Sequence, residues 1–131
     1  MESRKEQVRR LLVILENDIN TLHSRVVERK DEYLSILSLQ RNRKHFEVIF
    51  RSRYPSTSVE SLMLLTEDVL VLINKFYNEI EKYEWYLMHT EDQPSVVEAN
   101  AHHYLKEISS HYNMLSVFLE AELSTIIEDA S

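Results

Sequence analysis

An all-α bundle is the fold class this sequence predicts, and three observations predict it. The chain holds no glycine, where an average chain carries about 7%. Its two prolines, Pro55 and Pro94, each sit in a polar, turn-like stretch. Between those stretches apolar residues recur at alternating steps of three and four, the period of one helix face. Together these predict an antiparallel up-down-up bundle of three long, coiled-coil-like helices over about 2–52, 58–89 and 95–128, with a fourth helix if the first breaks near 40–45. Residues 1–131 read as a single helical-bundle domain, long enough to bury roughly two thirds of its unfolded surface.

In the first segment Val8, Leu12, Leu15, Ile19, Leu22, Val26, Tyr33 and Ile36 form the seam, with Arg29 filling one slot. Past Gln40 the register slips: Leu39, Phe46 and Phe50 lie on a rotated stripe, with Arg41, Arg43 and Lys44 between them. The second segment opens on Thr57 with Glu60, the spacing of a capping box, and steps from Val59 through Leu62, Thr66, Val69, Ile73, Phe76, Ile80 and Tyr83 to Leu87. Apolar residues also flank this seam, so the second helix is expected to be the central one. The third segment opens on Ser95 with Glu98, and Val97, Ala101, Tyr104, Ile108, Leu115 and Phe118 make its seam.

Composition excludes several function classes. Without cysteine there is no disulfide, thiol nucleophile or thiolate metal site, and without glycine no phosphate-cradling loop or nucleophile elbow. The longest apolar run, Leu11 to Leu15, is far short of the roughly 20 residues a membrane span needs, so no membrane insertion is expected. No signal peptide is read at the start, and a cytoplasmic location is expected. Net charge is −7, divided unevenly: residues 1–53 hold twelve Lys and Arg against eight acids, and residues 54–131 three against fourteen, about +4 and −11.

Three groups of residues are candidates for chemistry. His103, Glu107 and His111 share a helix face at spacing four and are the candidate metal ligands, the basis of an alternative reading as a metal-binding bundle protein or enzyme. Glu81 and Glu84 form half of a magnesium-type pair, but no matching acidic pair accompanies them, and a solvated acidic face is expected. The cluster Arg41, Arg43, Lys44, Arg51 and Arg53 suits a helix end better than nucleic acid, because the rest of the chain is acidic. No serine has an adjacent base placed by a local motif, so nucleophilic catalysis has no support, and no cofactor is expected.

The outermost positions of the second helix, Leu64, Val71, Asn78 and Trp85, are apolar in three cases of four, and Met88 follows Trp85. Tryptophan is enriched in interfaces. The expected function is therefore a non-catalytic protein-protein interaction module, an adaptor, assembly subunit or small export-type chaperone that forms a homodimer. Its partner-binding residues are expected to be Leu64, Val71, Trp85 and Met88, with Leu39, Phe46 and Phe50 as a second half.

Overall fold

In the computed structural model, which describes residues 3–130 and side chains as far as Ile126, Ser3 opens the first helix by accepting the Glu6 N–H on its Oγ at 3.2 Å. The expected start at residue 2 lies outside the described residues. Helix α1 runs Arg4–Glu28 and α2 runs Lys30–Gln40, so the long first helix breaks at Arg29. Arg29 occupies the seam slot where an apolar residue is missing, and its guanidinium turns out to Glu32 at 2.7 Å. Backbone bonds from Arg29 to Arg25 and from Tyr33 to Arg29 carry the rod across the kink.

The expected continuation to residue 52 does not form. Arg41 takes a left-handed conformation (φ 53°), and its N–H closes on the Leu37 carbonyl at 3.1 Å. This helix stop normally falls to glycine, and an arginine there costs about 1 kcal/mol. The break lies where the register slips. Residues 41–65 instead contain two single-turn helices, α3 (Phe46–Ile49) and α4 (Val59–Leu62), around a 3-10 turn at Tyr54–Ser56. We call this stretch the return leg.

The second long helix begins later than expected. Ser58, rather than Thr57, caps α4, which ends at Leu62, and α5 (Glu67–His89) starts afresh from Thr66. Thr66 followed by Glu67 and Asp68 combines a capping hydroxyl with two acids in the first turn, a stronger helix start than Ser58 offers. Val59, expected in the seam, is exposed as a result. Helix α6 (Pro94–Ala130) starts with proline at its first position, which places Ser95 inside the first turn, and Glu98 pairs with Lys30 at 2.7 Å instead of completing a cap.

Contacts along the bundle set its topology. Early α6 meets the far ends of α1–α2 and α5, through Glu98 on Lys30 and Asn100 on Tyr86; later α6 meets the middle of α1 and the start of α5, through Tyr112 on Asn20 and Glu122 on Thr66. Hence α1 and α5 run the same way, α6 runs opposite to both, and the expected up-down-up order of three helices is not what these contacts describe. The return leg supplies the missing downward pass. Helix α6 packs against both long partners, so it is central, not the second helix. The core is one cluster fed by every leg: the expected α1 seam from Leu12 to Val26, Tyr33 of α2, Phe46 of α3, and the α5 seam from Val69 to Leu87 are all buried.

Candidate functional site

Two side chains of α1 hold the return leg in place. Asp18, 6% exposed, accepts hydrogen bonds from Ser52 Oγ at 2.6 Å, the Arg53 N–H at 2.9 Å and Tyr77 Oη at 2.6 Å. Burial, then the bond to Asp18, pushes the Tyr77 phenol well above its ordinary pKa. Two helical turns on, the Arg25 guanidinium donates to the carbonyls of Ile49 (3.1 Å) and Arg51. Backbone 49–53 is therefore fixed on α1, while the side chains of Arg51 and Arg53 stand exposed.

A second polar cluster lies deeper. Tyr33 Oη donates to the Val26 carbonyl at 2.5 Å, which uses its single proton, so the contact of 2.8 Å with Tyr83 Oη has Tyr83 as donor. His45 Nε2 donates to the Tyr33 carbonyl at 3.0 Å, and its buried Nδ1 has no partner among the described residues. These groups join the kink, the return leg and α5.

The residues expected to meet a partner divide. Phe46 and Phe50 are 1% and 7% exposed: they pack against Tyr33 in the core, a correction that follows from the return leg folding back over α5. Leu64 precedes α5 and sits half-buried beside Leu11 and Ile14 of α1, so it does not continue the outer stripe of α5. Val71, Met88 and Trp85 are exposed, and Leu39 is 82% exposed. Val71 and Trp85 are two heptads apart, about 21 Å at 1.5 Å per residue, with Asn78 between. The Trp85 indole is 64% exposed and stacked on one face by His89, ring centroids 4.5 Å apart.

Two features escaped the sequence reading. Met114, Val117 and Phe118 are exposed on the outer face of α6, although Phe118 has the spacing of the seam. The stripe is wide enough that one edge reads as core, and only the position of α5 decides which edge is covered. A cleft of about 360 Å³ also opens between α2 and the start of α6, floored by Leu34, Leu37 and Val97 and edged by Leu39 and Arg41. It depends on the α2 stop and the α5–α6 turn meeting, which no local pattern signals.

No family model, curated protein or solved structure matches this chain.

His103 and Glu107 are exposed and His111 half-exposed, and among the described residues no three His, Asp or Glu side chains come together as a metal ion would require. Glu84, half-buried beside Glu81, is raised above the usual carboxylate range, first by burial and then by its neighbour's charge. His23 of α1 packs against α6. Its ring stacks on Tyr112 at 3.8 Å, and Nε2 lies 3.2 Å from Ser109 Oγ. Burial holds His23 below its usual 6.5, and the Glu28 charge opposes this only in part. The unfolded chain thus takes up this proton first as pH falls through about 6.5. Stability is full above that value and declines as pH falls toward and through the folded value. Thermal melts of the wild type from neutral pH downward are expected to show a steeper decline than those of His23→Gln; parallel curves would contradict this.

Proposed function

We propose that this chain is a non-catalytic helical interaction module that self-associates and docks a partner protein, in the manner of an adaptor, assembly subunit or small chaperone. The observation that carries the reading is Trp85, whose indole is 64% exposed on the outer face of α5 with exposed Met88 beside it. An aromatic side chain carries a large apolar surface, and tryptophan is enriched among the residues that dominate interface energies. The exposed apolar side chains of α6, Met114, Val117 and Phe118, add a second adhesive face. The buried polar groups around Asp18 and Tyr33 are engaged in holding the fold, which favours binding over chemistry. The lack of cysteine fits a reducing compartment such as the cytoplasm.

Sedimentation velocity across a concentration series is expected to show a dimer or larger species. Trp85→Glu is expected to weaken that association at least about tenfold, the size of an interface hot spot, with helicity by circular dichroism unchanged. A wild type that stays monomeric throughout the series, or an association indifferent to Trp85→Glu, would sink the self-association reading.

A further inference from the structure

We propose that the return leg is a docking strip for a short acidic segment of a partner protein, gripped by Arg51 and Arg53 with Arg25 of α1 behind them. This rests on the interaction-module reading and names the chemistry of the partner.

Positive charge here is gathered and held. Asp18 and Arg25 clamp backbone 49–53 onto α1 and leave the Arg51 and Arg53 side chains in solvent at a fixed place. Arg25 feels both Arg51 and Arg29 as like charges. Among the described residues, no carboxylate lies within ion-pair distance of Arg41, Lys44, Arg51 or Arg53. Residues 54–131 hold fourteen acids against three bases, yet among the described residues none of those acids pairs with these four cations. The nearby Asp18 carboxylate is buried and already takes three hydrogen bonds. Between residues 41 and 59 the only acid is Glu47. Guanidinium forks left unpaired in this way match carboxylates in pairs of hydrogen bonds.

The surroundings favour an acidic peptide over nucleic acid. Arg43 bonds the Leu87 carbonyl and Tyr54 bonds Asn74, so the leg descends past thirteen residues of α5, about 20 Å at 1.5 Å per residue. About six extended residues span that distance. A long polyanion continues past it onto a chain of net charge −7, where repulsion offsets the gain. A short acidic segment ends within the strip.

Fluorescence anisotropy tests this with a labelled peptide of about ten residues alternating glutamate and alanine, enough to overspan the strip, against the full chain at low and high salt. A lysine version of the peptide and a single-stranded DNA serve as competitors. The acidic peptide is expected to bind, more weakly in high salt, and to lose at least about tenfold in affinity with Arg51→Glu/Arg53→Glu, a charge reversal at exposed sites. Arg4→Glu/Arg9→Glu changes net charge equally at the far end of α1 and is expected to leave affinity within about twofold, because screening confines such effects to about 10 Å. Circular dichroism melting confirms that each variant is folded.

No binding of the acidic peptide at low salt, equal losses in the two double variants, or tighter binding of DNA each overturns the proposal. Trp85→Glu is expected to keep the peptide affinity while losing self-association. A dimer that depends on Trp85, in a chain that ignores the peptide, defeats the strip and leaves the module standing. Peptide binding that depends on Arg51 and Arg53, in a monomeric chain, does the reverse for self-association.

Discussion

Asp18→Ala is expected to cost about 3–5 kcal/mol, a large share of the 5–15 kcal/mol that holds a domain of this size together. The carboxylate is 6% exposed and satisfies Ser52 Oγ, the Arg53 N–H and Tyr77 Oη together. Its removal leaves those three donors short of an acceptor and takes away the charge that faces Arg25. Tyr77→Phe deletes one donor and is expected to cost about 1 kcal/mol. In the double variant the penalties are expected to sum to less than their parts, because the phenol no longer needs an acceptor. Urea unfolding of the three variants measures this. A loss below about 1 kcal/mol for Asp18→Ala would show that the return leg is held by other means.

Tyr33→Phe and Tyr83→Phe delete the same atom from neighbouring rings and are expected to differ. Tyr33 Oη donates to the Val26 carbonyl and receives the Tyr83 proton. Without it, a buried carbonyl and a buried hydroxyl both go unsatisfied, at about 2–3 kcal/mol. Tyr83→Phe leaves the Tyr33–Val26 bond intact and removes only a donor, at about 1 kcal/mol or less. Denaturation midpoints that rank the two variants in the opposite order would reverse the assignment of donor and acceptor.

Periodicity carried most of the helical reading, since the step of three and four from Leu12 to Val26 and from Val69 to Leu87 is the buried face of α1 and α5. The slipped register beyond Gln40 marked one break, whereas Arg29 read as filling a slot in a continuous seam and the break there was not foreseen. Phe46 and Phe50 were legible as apolar but not as core, because the wall they face is assembled from Tyr33 and Tyr83, residues remote in the chain. Thr66 shows the same limit from the other side: as a small polar residue at seam spacing it read as part of a helix, and the structure uses its hydroxyl as a cap. Asp18 gave no local sign of its role, because its three donors come from 34 to 59 residues away. Trp85 was read as pointing away from the seam, and its indole is exposed.

Because α1 and α5 run the same way and only α6 opposes them, the backbone dipoles do not cancel. One helix's worth remains, equivalent to about half an elementary charge at each end of the bundle. Side chains answer it at both ends. Glu6, Glu67 and Asp68 lie in the first turns of α1 and α5, where the backbone is positive. At the opposite end Arg43 donates to the carbonyls of Leu87 (3.1 Å) and Thr90 (2.7 Å), where it is negative. The irregular return leg thus leaves the bundle electrically polar along its axis, with ends that a partner or a second copy can tell apart.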